Sequence, residues 1–250
     1  MDKLNEHTYF SPLAAGRDHG MFFDYRFWRY LASSHQLAEQ LQTSTMRGFR
    51  KRVVAVFVLG VLLFATREVW GMNTEKLTAL LSTMTTADYT VARYASLIGI
   101  LLWAILYMAF HYWGVAYILH RITSIPFKQL LPLQLLTTGI LLIEKLLVFT
   151  VFALKGETAA VSFLSFGPLA NTFLDNWYII FFLNQLTVMG ALIIGIQYRF
   201  IRSYPSENGW YRMLPVLIGL HVAMALLTAA VGFIPYEEWF HSLVGRGVVE

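Results

Sequence analysis

The stretch that decides the fold is QLLPLQLLTTGILLIEKLLVFTVFAL, from Gln129 to Leu154. Its only charged side chains are Glu144 and Lys145, and the rest is dominated by leucine, valine, isoleucine and phenylalanine. An α-helix of this length extends for about 39 Å, at 1.5 Å per residue, which exceeds the hydrocarbon core of a bilayer at about 30 Å. The stretch therefore predicts a membrane-spanning helix.

Four further apolar runs extend this pattern along the chain. The protein has 250 residues, of which 57% are hydrophobic and 14% charged, whereas a soluble domain carries about 25% charged residues. We therefore expect an all-α, polytopic transmembrane helix bundle. With the quoted stretch as span 3, its five spans are completed by Val53 to Ala65 (extending toward Trp70), Ala95 to Leu119, Trp177 to Ile201 and Tyr211 to Ile234.

Lysine and arginine positions predict how the spans are oriented. Thirteen of these residues fall in the N-terminal segment and in the loops after spans 2 and 4, against five on the opposite side. The positive-inside rule then places the N-terminus in the cytoplasm and the C-terminus outside. We expect residues 1–52 to be cytosolic or interfacial, 53–234 to form the membrane domain and 235–250 to be an external tail. The basic residues flank the apolar runs, so the lipid bilayer is the expected partner and nucleic acid is not.

The segment MFFDYRFWRYLASSHQLAEQLQ, from Met21 to Gln42, reads as one amphipathic helix. Such a helix, rich in aromatic residues and arginine, is typical of the membrane interface. The alternative is a cytosolic helix that packs on the protein's own loops. Its predicted apolar stripe consists of Phe23, Phe27, Tyr30, Leu31, Leu37 and Leu41.

Polar side chains within the predicted spans are the candidate functional residues, because a charge at mid-bilayer costs about 2.5 to 3.5 kcal/mol on insertion scales. Glu144 and Lys145 fix helix packing, form a relay or substrate contact, or mark a kinked helix. Paired histidines on two spans also suit a metal or pH-sensing site, although no third ligand has a recognisable spacing. The candidates are Glu144, Lys145, Asn184, Gln185, His111 and His221.

Two spans also carry small and polar residues at helical spacing. Small residues let helix backbones approach in lipid, and polar ones bond across the contact. These stripes predict seams for helix packing or for a partner subunit. The first continues from Asn184 through Thr187, Ala191 and Gly195, and the second continues from His221 through Ala225, Thr228 and Gly232.

Enzymatic signals are missing from the sequence. The chain has no cysteine, and it lacks the HExxH, GxSxG and phosphate-loop motifs. We therefore expect a non-enzymatic protein with no metal and no cofactor. An intramembrane enzyme would need two facing polar groups with a path for water, and it is the third and weakest alternative.

Two local patterns resemble the YIP-type (Ypt/Rab-interacting protein-like) family of five-span membrane domains. One is the link AYILHRITSIPFKQLLPLQLL, and the other is PLANTFLDNWYIIFFLNQLTVMGALIIGIQYRF with its Asp175, Trp177, Gly190 and Gly195. The resemblance covers roughly residues 50–234 and implies a non-enzymatic integral membrane protein. Bacterial members include accessory components of ABC-type exporters, and eukaryotic members act in vesicle trafficking. Compact loops and the lack of cysteine favour a bacterial plasma membrane.

Two functions follow from these observations. The first is an accessory or regulatory subunit of a membrane complex, such as an ABC exporter, that docks through the small-residue seams. The second is an autonomous transporter or channel, or an ABC permease subunit, with a polar pathway around Glu144 and Lys145. An ABC permease half typically has six spans, whereas five are predicted here.

Overall fold

A computed structural model describes residues 22–72, 85–158, 161–205 and 210–231. The sequence also predicts a helix start at Ser11-Pro12 and a short surface helix from Thr74 to Met84. Both of these predictions, together with Gly232 and the external tail, lie outside the described residues.

The described chain is mostly helical. Strands β1 (Phe22–Asp24) and β2 (Thr45–Arg47) pair in parallel, and helices α1 (Phe27–Ala32) and α2 (Ser34–Thr43) lie between them. The membrane-type helices follow, with one π-helical turn (Phe110–Gly114) directly after α4. Their bounds are α3 Phe49–Trp70, α4 Thr86–Ala109, α5 Val115–Thr123, α6 Phe127–Lys155, α7 Gly167–Phe173, α8 Trp177–Gln185, α9 Val188–Arg202 and α10 Met213–Val231.

Four helical segments within the described ranges are long and apolar enough to cross a membrane: Phe49–Trp70, Thr86–Thr123, Phe127–Lys155 and Met213–Ala230. They match predicted spans 1, 2, 3 and 5. The first is complete because the helix continues beyond Ala65 to Trp70, and Gly71 ends it with a left-handed backbone (φ 103°). The chain is therefore an integral membrane protein of the helical type.

The predicted fourth span is not one helix. Trp177 to Ile201 divides into α8 and α9, with an unwound link at Leu186 and Thr187. The Thr187 side chain accepts a hydrogen bond from the Gly190 N–H at 3.0 Å and so starts a new helix. Threonine is a good residue for this capping position, and that local bond competes with continuation of the preceding helix.

The N-terminal segment also differs from the single predicted helix. It breaks at Ser33, and its strands hold its two ends together. Most of the predicted stripe turns toward the protein itself: Tyr30 and Leu37 are buried in a core with α5, α6 and α9. The Ser34 hydroxyl donates to the Ile196 carbonyl at 3.2 Å. Trp28 and Phe22 remain exposed, so only a small part of the segment presents an apolar surface outward.

Helix α6 is the centre of the bundle. Half of its apolar window is buried, against 11% for the window of Thr86–Thr123. Its first half contributes Leu130, Leu133 and Leu136 to the larger core, which it shares with α2, α5 and α9. Its second half packs against α3, where Leu142 joins Phe64 in a smaller core. Residues in the middle of α6 therefore face neighbours on several sides.

Helices α3 and α4 pack together beside α6. Glu68, which the sequence placed near the end of span 1, is buried and accepts a hydrogen bond from the Ser96 hydroxyl at 2.5 Å. Arg93 donates to the Glu68 carbonyl at 3.3 Å. Gly60 lies against Met108 of α4 and the Leu142 Cδ1 atom of α6. The absence of a side chain at Gly60 permits this close approach.

We expect Gly60→Leu to destabilise the protein, because its side chain would overlap Met108 and Leu142. Overpacking of this kind costs about 1 to 3 kcal/mol. Gly99→Leu on α4 is the matched control, since a Cβ there meets nothing within 4 Å. Thermal unfolding in detergent should show a lower midpoint for Gly60→Leu alone. Equal midpoints for both variants would contradict this packing.

Candidate functional site

A polar cavity lies inside the bundle, between α4, α6, α9, α10 and the link that separates α8 from α9. Its volume is about 380 Å³, which is within the range of small-molecule sites. Five of the six predicted intramembrane candidates line this central cavity, and only Asn184 lies outside its lining. Its polar lining consists of Tyr107, His111, Gln134, Thr137, Glu144, Lys145, Gln185, Thr187, Gln197, His221 and Thr228.

Glu144 lies at the helix break. Only 2% of its surface is exposed, and its Oε2 atom accepts a hydrogen bond from the Thr187 hydroxyl at 3.0 Å. The Thr187 hydroxyl group therefore makes two hydrogen bonds, because its oxygen also accepts a hydrogen bond from the Gly190 N–H. The first peptide N–H groups of a helix carry a partial positive charge that favours a nearby anion. The break at Leu186 and Thr187 thus provides the environment that holds the Glu144 carboxyl group.

Lys145 does not form an ion pair with Glu144. Among the described residues the only ion pair within 4.0 Å joins Arg52 to Asp24, and Lys145 makes no hydrogen bond there. Adjacent residues of an α-helix project about 100° apart, which explains why these two side chains diverge. Arg67 and Tyr107 lie close enough to interact electrostatically with this region. The cavity therefore presents a carboxyl and an amino group as separate features.

The two predicted histidines reach the cavity from different helices. His111 lies in the π-helical turn after α4, and its ring stacks edge-on with Tyr107 at 4.5 Å between centroids. His221 of α10 places its Nδ1 atom 3.0 Å from the Leu217 carbonyl. Because a carbonyl only accepts, Nδ1 carries the hydrogen and Nε2 is left as an acceptor. π-Helical turns are frequent at functional sites.

Two glutamines in the cavity were missed by the sequence analysis. Gln134 and Gln197 are each 1% exposed, and the Gln134 Nε2 and Gln197 Oε1 atoms have no hydrogen-bond partner among the described residues. The Gln134 Oε1 atom is occupied, since it accepts from the Thr137 hydroxyl at 2.9 Å. An amide within an apolar run is the signal that would have identified both residues. The cavity therefore contains one unused donor and one unused acceptor.

Asn184 has a structural environment just outside the cavity. Its Oδ1 atom accepts hydrogen bonds from the Ser162 N–H at 2.7 Å and from the Ser165 hydroxyl at 2.8 Å. Next to it, the Phe166 N–H donates to the Leu186 carbonyl and the Val188 N–H donates to the Leu164 carbonyl. The chain before α7 therefore pairs with the unwound link and satisfies its backbone.

Some residues of the predicted small-residue seams lie inside the helix bundle, and others lie on its outer surface. Ala225 is buried, and with Thr228 it lines the cavity. Ala191 is exposed on α9, and a Cβ at Gly195 would meet nothing within 4 Å. Neither Ala191 nor Gly195 therefore forms a close helix contact within the described chain. Within those same ranges, no three histidine, aspartate or glutamate side chains gather closely enough to hold a metal ion.

Comparison of the chain with protein-family models, curated proteins and solved structures finds no match. The resemblance to the YIP-type family stays a prediction from two local patterns. The function is therefore inferred from the geometry of the cavity.

We expect Thr187→Val to destabilise the protein, because valine keeps the shape but removes the bonds to Glu144 and Gly190. Loss of a helix cap costs about 0.5 to 2 kcal/mol, and a buried polar group without its partner adds about 1 to 3 kcal/mol. Thr150→Val is the control, since that exposed hydroxyl bonds only to the Leu146 carbonyl. Thermal unfolding of both variants measures the difference, and equal stability would refute the role given to Thr187.

Proposed function

We propose that this chain is a membrane transport protein that binds its substrate in the central cavity. The observation that carries this proposal is the separation of Glu144 from Lys145 at a helix break, in a cavity that also contains unpaired atoms of Gln134 and Gln197. Unpaired buried polar groups cost about 1 to 3 kcal/mol each, so a core with only a packing role gains from apolar residues at these positions. A bound polar ligand removes that cost.

The helix break supports the same function. Secondary transporters commonly bind substrates near the bilayer midplane, where discontinuous helices expose their ends. Here the end of α8 and the start of α9 meet at Gln185 and Thr187, both in the cavity lining. Along α6, Glu144 lies about 16 Å from the helix end at Lys155, which is about half the thickness of a hydrocarbon core.

The proposed topology has five crossings, with α8 and α9 together forming the fourth. Their combined length, from Trp177 to Arg202, corresponds to about 39 Å. With the N-terminus in the cytoplasm, the positive-inside distribution places Arg199 and Arg202 on the inner side. A bacterial plasma membrane is the proposed location. The α1 and α2 segment then caps the cytoplasmic end of the bundle, with Trp28 and Phe22 available to the interface.

We expect Glu144→Gln to lower transport at least about tenfold while the protein still folds, because the change removes one charge and keeps the shape. Flux is measured in proteoliposomes with two probe sets. One is L-alanine, L-lactate and ethylamine, and the other is a fluorescent zwitterionic phospholipid whose transfer between leaflets is followed with dithionite. Glu39→Gln, at an exposed position of α2, is the control. If no probe moves faster than in protein-free liposomes, or if Glu144→Gln leaves every flux unchanged, the transport proposal fails.

An accessory subunit is the second candidate function, favoured by the outward-facing stripe of Ala191 and Gly195. Small residues that no helix of the described chain uses suit a contact with another subunit.

For this second function, Gly195→Leu should abolish co-purification of a stoichiometric ATPase or permease subunit from the native host. Thermal stability should be unchanged, because the added side chain meets no atom of the described chain. Gly99→Leu is the matched control. Identification by mass spectrometry of the same complex in wild type and Gly195→Leu would exclude docking through this stripe.

A further inference from the structure

The central cavity has an apolar side opening that faces the region occupied by lipid. Leu106 of α4, Phe110 of the π-helical turn and Leu227 of α10 all line the cavity, and their exposed fractions are 64%, 44% and 67%. We call these three residues, with Trp103, the side portal. Helix α10 packs on α8 and α9, and α4 packs on α3, so no extensive contact between α4 and α10 closes this opening in the described chain.

The side portal is apolar, whereas other parts of the cavity lining carry polar and ionisable groups. Besides the portal residues, the cavity lining includes Tyr107, His111 and His221, together with Glu144 and Lys145 of α6. A ligand that enters through the portal passes an apolar rim before its polar part reaches these groups. Small water-soluble molecules gain nothing from such a rim, whereas an amphiphile leaves its chain against leucine and phenylalanine and inserts its head group.

The charges of Glu144 and Lys145 limit which kind of head group can bind in the cavity. Glu144 and Lys145 are of opposite charge type and interact electrostatically, but neither forms an ion pair within 4.0 Å among the described residues. Arg67 lies nearby but is adjacent in sequence to buried Glu68, with which it interacts electrostatically. A head group with one sign of charge would match one side chain and leave the other in the cavity without a direct ionic partner, which is unfavourable in a low dielectric. A zwitterionic head group compensates both.

We propose that the ligand of the central cavity is an amphiphile with a zwitterionic head group that enters from the bilayer through the side portal. This inference rests on the proposed transport function and specifies its substrate class. The anionic part of the head group binds Lys145, and its ammonium part binds Glu144 on the oxygen that Thr187 leaves unused. Gln134 lies ten residues from Glu144 along α6, and Gln197 lies ten residues from Thr187 along α9, a rise of about 15 Å in each case. The two glutamines offer a second set of polar groups in the cavity.

Binding is tested with purified full-length chain in dodecyl maltoside and three probes that share a twelve-carbon chain. The probes are lauroyl-lysophosphatidylethanolamine (zwitterionic), laurate (anionic) and dodecylamine (cationic). Native mass spectrometry and thermal shift measure binding. We expect the zwitterion to bind at least about tenfold more tightly than either of the others, because only it matches both charges. Equal binding of the three probes would mean detergent-like adsorption and would overturn the inference.

Two sets of variants locate the binding event. Lys145→Gln should shift the preference to dodecylamine, and Leu106→Trp with Leu227→Trp should weaken binding of the zwitterion about tenfold by filling the portal. Leu62→Trp on an exposed face of α3 is the control and should bind normally. An unchanged preference in Lys145→Gln, or a second protein subunit found over the portal, would also overturn the inference.

The flux measurements separate this inference from the transport proposal. Glu144-dependent flux of L-alanine, L-lactate or ethylamine without transfer of the zwitterionic phospholipid supports transport and overturns the amphiphile. Glu144-dependent transfer of the phospholipid supports both. Absence of every flux overturns transport, and the binding measurements then decide whether the cavity still holds the zwitterion.

Discussion

A bilayer offers no hydrogen-bond partner to a peptide group, and the architecture of this protein depends on that constraint. Helices α3, α4, α6 and α10 satisfy it internally, over lengths that fit the hydrocarbon core. The link at Leu186 and Thr187 cannot, because helical bonding stops there. Leu164 and Phe166 supply the missing backbone partners, and Asn184 holds the chain before α7 in position. The break is therefore stabilised by specific hydrogen bonds, which come from the segment before α7 and from the Asn184 side chain at the end of α8.

The break also explains where the polar side chains gather. Once α9 starts anew at Thr187, its hydroxyl and first N–H groups face α6, and an anionic side chain there is stabilised. Glu144 occupies that position. Lys145 follows it in sequence but projects elsewhere, so the charge pair that would neutralise both does not form. A bundle selected for stability alone gains from an ion pair or from leucine at these sites. The unpaired atoms of Gln134 and Gln197 and the missing ion pair are consistent with the ligand that we propose.

Sequence alone predicted the parts of the fold that depend on local properties. Length and hydropathy identified α3, α6, α10 and the helix from Thr86 to Thr123, because spanning a bilayer requires a long apolar run regardless of neighbours. The break in Trp177 to Ile201 was not predicted, since it depends on bonds from Leu164 and Phe166 that are distant in sequence. The N-terminal segment was assigned one helix because its periodicity continues through Ser33, whereas tertiary packing of Tyr30 and Leu37 decides its shape.

For the cavity, the sequence identified candidate residues but could not group them. An ionisable or amide side chain in an apolar run is conspicuous wherever it points, so Glu144, Lys145 and His221 were found from composition. Whether they converge depends on how α4, α6 and α10 are rotated and spaced. The structure places them behind one opening whose rim, at Leu106 and Leu227, is apolar and exposed. A cavity that contains polar and ionisable groups and has an apolar rim matches a molecule that is itself divided into a polar and an apolar part. The side opening therefore gives a molecule from the surrounding lipid access to Glu144 and Lys145, whose placement inside the bundle costs free energy.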